Sequence, residues 1–276
     1  MYQGMFLNLQ RNEQRRAALT RHLAEVGAAE RYQRFEAIDG RTAAEQHEMK
    51  LQPGNVGLWL THEKMLETIG ASPGGHLHIL EDDAVLPKNA VSQFDSLLTR
   101  IGGELPHWDL LFTDVFLAPH PGWFRLFAEK MRLHAETGAH TLIDLARIPF
   151  AGTSSLFVNK SSIGKYASLL AGNWRRGWPI DLYLRSLVNE GKLKAYLTVP
   201  YMTSISPESN MSDISGSLDH SRRVCEIYRR AFFQEANLVS LLTEMQLLTA
   251  QAKIPQLAGL YLHTESFMLS DQWIPH

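Results

Sequence analysis

The sequence predicts an α/β fold, a mostly parallel sheet flanked by helices, with residues 1–216 as one domain and residues 217–276 as a C-terminal helical appendage. Three observations predict it. Short apolar runs of strand length alternate with stretches in which apolar residues recur every three or four positions, the pattern of strand–helix–strand units. Runs such as Leu110-Leu111-Phe112 are apolar at successive positions, as in strands buried on both faces. From Arg222 to about Ala252 the strand signals stop, and Ile227, Leu238, Leu241, Met245 and Leu248 keep helical spacing in one long helical region that packs on the core or on a partner subunit. A chain of 276 residues has room for one large core, and no internal repeat or low-complexity linker divides it.

The elements follow in order. Residues 5–9 read as a first strand, and Asn12 as the cap of a helix that carries Leu19, Leu23 and Val26 and ends at Gly27. A second strand runs from Tyr32 to Ile38 and stops at the turn signal Asp39-Gly40. Asn55 to Ile69 reads as a helix with Leu58, Met65, Leu66 and Ile69 on one face, and Ser72-Pro73-Gly74-Gly75 then breaks the chain. His76 to Leu80 is a buried strand. Gly122 to Glu136 reads as an amphipathic surface helix; its mix of Trp123, Phe124 and Phe127 with Arg125, Lys130 and Arg132 also suits a helix resting on a membrane. Leu110–Thr113 and Ser155–Val158 are further strands, and Ser161–Leu170 a helix. Pro179 suits the first turn of a helix that buries Ile180, Leu184, Leu187 and Val188 and ends at Gly191, before a strand at Ala195–Val199.

The strand at 76–80 releases three consecutive carboxylates, Glu81-Asp82-Asp83. In such sheets ligands collect beyond the carboxyl ends of the strands, where Asn8, Asp39 and Asp114 also stand. Adjacent carboxylates repel one another and lose solvation there, which a divalent cation or a ring of donors offsets. The plain alternative is a solvated acidic turn.

Composition narrows the class. Apolar residues at 45% and charged residues at 20% exclude a disordered chain, and no apolar run is long enough to span a bilayer. The N-terminus carries no secretory signal, so a cytoplasmic protein is expected, with peripheral contact to an inner membrane as an addition. Cys225 stands alone, which leaves no intrachain disulfide and no multi-cysteine zinc site. A net charge of −2 argues against nucleic acid as a partner.

With these pieces in order, the chain resembles glycosyltransferase family 25, which includes bacterial lipooligosaccharide galactosyltransferases and collagen galactosyltransferases. The match runs over most of residues 5–216. Asn8-Leu9-Gln10-Arg11 with Arg15 is similar to the family's opening block, followed by Ala37-Ile38-Asp39-Gly40. Gly54-Asn55-Val56-Gly57 through Thr61-His62 is similar to its Gly-x-x-Gly-x-x-x-Ser-His helix, although Leu58 stands where many members have cysteine. Ile79 to Asp83 matches the acidic motif, and Trp108-Asp109-Leu110-Leu111, Gly152-Thr153, Pro179-Ile180-Asp181 and Ser212-Asp213-Ile214 match later blocks. The resemblance implies a GT-A type fold, a nucleotide-sugar donor and a divalent cation, Mn2+ or Mg2+. It also implies a hexose, galactose from UDP-galactose first, moved with inversion onto a saccharide or glycolipid acceptor such as a lipopolysaccharide core.

Roles follow as expectations. Asp83, with Asp82 and Asp213, is assigned to the cation, and Glu81 and Asp82 to the donor. Asn8, Arg11 and Arg15 are candidates for the nucleotide diphosphate, with solvated arginines as the alternative. Asp39 and Gly40 are placed at the base or ribose, and His62 at the donor phosphates, although its spacing puts it on the buried stripe of its helix. Asp181 is the first candidate for the general base and Asp114 the second. Trp174, Arg176 and Trp178 are assigned to the acceptor, because aromatic faces pack on sugar rings. A sugar-phosphate nucleotidyltransferase and a non-catalytic carbohydrate-binding protein remain open alternatives, and the C-terminal helical region offers a homodimer surface.

Overall fold

A computed structural model describes residues 1–42, 51–70, 74–105, 107–117, 121–206, 211–212, 216–217 and 220–251. The elements that build the molecule begin with β1 (Tyr2–Leu9), α1 (Glu13–Glu25), β2 (Tyr32–Ala37), α2 (Pro53–Ile69), β3 (His76–Glu81), β4 (Ala84–Val85) and α3 (Ala90–Glu104). They continue with β5 (Leu110–Phe112), β6 (Phe116–Leu117), α4 (Pro121–Thr137), β7 (Thr141–Asp144), β8 (Phe150–Ala151), β9 (Ser155–Val158) and α5 (Ile163–Leu170). The last are α6 (Ile180–Asn189), β10 (Ala195–Val199), β11 (Ser204–Ile205), α7 (His220–Ala231) and α8 (Leu238–Gln251).

Seven strands form the central sheet in the order β2-β1-β3-β9-β5-β10-β7. β1 pairs in parallel with β2 and β3, and β5 with β10, whereas β9 and β7 run antiparallel to their neighbours. Five strands therefore point one way, and the mostly parallel α/β sheet read from the sequence is the one observed. The antiparallel strand β9 has a consequence for the site. Its entry, Gly152-Thr153-Ser154, falls at the edge where β1, β2, β3 and β5 end.

Alternation along each strand divides the core between the two faces. Leu77, Ile79, Leu110, Phe112, Leu156 and Val158 join α2, α5 and α6 on one face through Trp59, Met65, Tyr166 and Leu184. Leu80, Leu111 and Phe157 join α1 and α3 on the other through Leu19, Leu23, Phe94 and Leu97. The amphipathic segment after Gly122 is helix α4, and its Phe127 is buried while Trp123 packs against the first core. Among the described residues, no helix is long and apolar enough to cross a membrane.

Two local expectations change. Asn12 occupies the N-cap position of α1 but its side chain makes no capping bond; its carbonyl accepts from Asn8 Nδ2 at 3.1 Å instead. The long helical region breaks into α7 and α8. Phe232 stacks on Phe127 with ring centroids 3.9 Å apart, its carbonyl accepts from Tyr201 N at 2.9 Å, and Gln234 N donates to Tyr201 O at 3.0 Å. These bonds tie the junction to the core after β10, which a continuous helix does not permit. α7 leads into this anchored junction and packs on β6 and β11, and α8 leaves it and packs on α7.

The Asp39-Gly40 and Gly54-x-x-Gly57 blocks meet in space. A Cβ on Gly40 would overlap the Pro53 carbonyl, and one on Gly57 would lie 2.5 Å from Ile38 O. The obstacles are backbone atoms that cannot turn aside, so the loop after β2 lies directly on the start of α2. Thr61 completes the junction, donating to Gly57 O at 2.6 Å and accepting from Ile38 N at 2.9 Å. Gly40→Ala is expected to destabilise the protein by on the order of 3 kcal/mol, read from the urea midpoint, and an unchanged midpoint would show that the junction yields.

Candidate active site

Three strand ends and the start of α2 line one solvent-open cleft. Arg11 and Arg15 come from the turn after β1 and from α1, Asp39 and Gly40 from the end of β2, and Glu81, Asp82 and Asp83 from the end of β3. Seven residues assigned to the donor or the cation from the sequence thus line the same space. Asn8 supports it from beneath: its Nδ2 donates to Asp82 Oδ2 at 2.7 Å, and Arg34 Nε donates to its Oδ1 at 3.2 Å. Adjacent parallel strands make this possible, because Leu7 pairs with both Phe35 and Glu81 and so brings the tips into line.

The acids differ in their surroundings. Arg15 Nη2 lies 2.8 Å from Asp82 Oδ1 and 3.0 Å from Asp83 Oδ2, so one nitrogen bridges both carboxylates. Asp83 Oδ1 is buried and has no hydrogen-bond partner among the described residues. Glu81 accepts from Thr153 Oγ1 at 3.0 Å; burial, with the charge of Asp83 beside it, raises its pKa to about 7. Arg11 forms an ion pair with Asp39, whose Oδ1 also accepts from Arg41 N at 3.0 Å.

The entry to β9 joins the remaining acids, one per residue. Gly152 N donates to Asp181 Oδ2 at 2.9 Å, Thr153 holds Glu81, and Ser154 Oγ donates to Asp114 Oδ1 at 2.8 Å. Ser154 O also accepts from Glu81 N at 2.8 Å. Gly152 has φ +93°, the left-handed region, which lets the strap turn between β8 and β9. Asp181 sits in the first turn of α6, half-buried. Asp114 is fully buried and pairs with Arg229 of α7, whose Nη2 is 2.6 Å from Asp114 Oδ2 and which also donates to Ser154 Oγ. Arg229 and Ser154 have no part in the sequence reading, and Thr153 enters it only through the Gly152-Thr153 block, without a role. Arg229 lies on the buried stripe with Cys225 and Phe232, and a cation on such a stripe is the signal that marks it.

Other assigned residues lie elsewhere. His62 does not line the cleft: it is fully buried, with Nδ1 3.3 Å from the Tyr166 hydroxyl, and burial lowers its pKa to about 4. Below pH 6.5 the unfolded chain takes up a proton that folded His62 refuses until about pH 4, so stability falls as pH drops through that window. The loss attributable to this residue is on the order of 3 kcal/mol. A His62→Leu variant is therefore expected to lose less stability than the parent between pH 6.5 and pH 4 in paired urea titrations. Trp174 is buried under Arg175, whereas Trp178 is 42% exposed and its carbonyl accepts from Trp59 Nε1 at 2.8 Å. Arg176 and Trp178 line a separate cleft along α6. Asp213 lies outside the described residues.

Among the described residues, no three His, Cys, Asp or Glu side chains converge as a ligand set. A hard cation needs fewer. Mg2+ or Mn2+ takes one or two protein carboxylates and fills its shell with phosphate oxygens and water, and the orphaned Asp83 oxygen beside Asp82 fits that demand. No family model matches the chain, and no curated protein matches it. Among solved structures, the apo form of mouse xyloside xylosyltransferase 1 is similar with a TM-score of 0.36 and 12% identity, covering 70% of each chain.

Proposed function

We propose that the chain is a metal-dependent, inverting glycosyltransferase of GT-A type, akin to family 25. The expected transfer is of a hexose, galactose from UDP-galactose first, to a saccharide or glycolipid acceptor. One observation carries the reading: residues from three separate strand ends and from α1, two of them arginines, meet in one cleft with an acid pair that has an oxygen to spare. A cation held by Asp82 and Asp83 would stabilise the charge that develops on the leaving diphosphate. Arg11 and Arg15 face the same cleft and supply further positive charge to the phosphates. Asp39 accepts from the ribose or base, while Asn8 keeps Asp82 in place.

Inversion needs a base opposite the leaving group. The acceptor hydroxyl gives its proton to the base, its oxygen bonds to the anomeric carbon, and the bond from that carbon to the diphosphate oxygen breaks. Asp181 has this role: it is half-buried, held by Gly152 N, and tied through the 152–154 strap to Glu81. Asp114, closed off between Ser154 and Arg229, is the anchor of that strap. Incubation with a panel of UDP-sugars and Mn2+ tests the reading. One UDP-hexose is expected to raise the melting temperature and to release UDP slowly, and no stabilisation by any nucleotide would remove the donor site.

A further inference from the structure

Arg15 occupies an unusual place. Its Nη2 bridges Asp82 and Asp83, which is where a cation on that acid pair would sit, and the same side chain lines clefts on both sides of the acids. The second cleft continues past Leu19, His22, Val85 and Ser206. We propose that Arg15 is an exchangeable counter-cation: it neutralises the acid pair when the site is empty, yields to a divalent cation, and swings into the donor cleft to meet the diphosphate. The inference deepens the reading above and rests on its cation site.

Three features support the exchange. Asp82 does not depend on Arg15 for its position, because Asn8 fixes it from β1 and Arg34 fixes Asn8, while the backbone of Asp83 is held by Ser206 N, which donates to its carbonyl at 2.7 Å. Asp83 keeps a buried oxygen that Arg15 leaves unbonded, so the guanidinium satisfies the site incompletely and a compact ion with several ligands satisfies it better. Arg15 is about a quarter exposed, on a surface helix with open space to either side, so its release needs no rearrangement of the core. A divalent cation on the pair and a guanidinium within 3.0 Å of both carboxylates repel each other, so the two do not share it.

The test is Mn2+ binding without nucleotide, followed by calorimetry or by the paramagnetic signal of free Mn2+. Arg15→Gln is expected to bind Mn2+ roughly ten-fold more tightly than the wild type, the factor that corresponds to one lost competing ion pair of about 1.4 kcal/mol. The same variant is expected to bind UDP in the presence of saturating Mn2+ more weakly than the wild type. Arg15→Lys, which keeps a competing charge, should stay near the wild-type Mn2+ affinity, and circular dichroism confirms the fold of each. Equal or weaker Mn2+ binding by Arg15→Gln overturns the exchange, as does the absence of Mn2+ binding in all three proteins. Tighter Mn2+ binding by Arg15→Gln in a protein that ignores every nucleotide would leave the competition between Arg15 and the cation standing, and would overturn both the contact of Arg15 with a diphosphate and the glycosyl-transfer reading.

Discussion

Asp181→Asn is expected to lower kcat by roughly 10²- to 10⁴-fold while leaving the KM for the donor close to that of the parent. The asparagine keeps an oxygen for the Gly152 N–H and occupies the same volume, so the strap and α6 should remain in place. What it loses is the ability to take a proton, together with the acceptor of the Leu182 N–H at 2.9 Å, a first-turn N–H that water can satisfy. The pattern separates the base from a structural carboxylate: a structural role would lower the melting temperature and change donor affinity along with turnover. Measured with donor and acceptor saturating, near-normal turnover of the variant would reassign the base.

The second large effect falls on stability. Arg229→Met is expected to destabilise the protein by about 3–5 kcal/mol, because it leaves Asp114 charged, buried and without its cation. Ser154 would keep its bond to Asp114 but lose its bond to Arg229, and the 152–154 strap would loosen with it. Arg229→Met combined with Asp114→Leu removes both charges and should recover much of the loss, since an apolar pair of similar size needs no counter-charge. Urea denaturation of the parent, the single variant and the double variant gives the coupling directly. A single variant within 1 kcal/mol of the parent would mean that α7 is not locked to the core through this pair.

These two sites differ in how far the sequence reveals them. The acids at strand ends are legible because a buried strand must end, and polar residues at its end in a parallel sheet share one edge. Asn8, Asp39 and Glu81-Asp82-Asp83 follow from that rule alone. Asp114 follows too, but its partner does not: Arg229 is 115 positions away, and nothing local encodes a pair at that separation. The strap is hidden for another reason. Ser155–Val158 reads correctly as a strand, but a run of four apolar or small residues carries no direction, and only its antiparallel insertion between β3 and β5 turns Gly152-Thr153-Ser154 toward the acids. The break between α7 and α8 was concealed because Phe232 continues the helical stripe, while its stacking on Phe127 is a tertiary contact. His62 shows the opposite case. Its position on the apolar stripe already indicated burial, and the structure places it there.

The central claim is that the cleft at the strand ends takes a nucleotide diphosphate with a divalent cation on Asp83. Calorimetric titration of UDP into the parent and into Asp83→Asn, each with Mn2+ and with a chelator, measures it most directly. The parent is expected to bind UDP more tightly with Mn2+ than with chelator, and Asp83→Asn to lose that difference while keeping its fold. The same gain from Mn2+ in both proteins, or no UDP binding by the parent, would contradict the account.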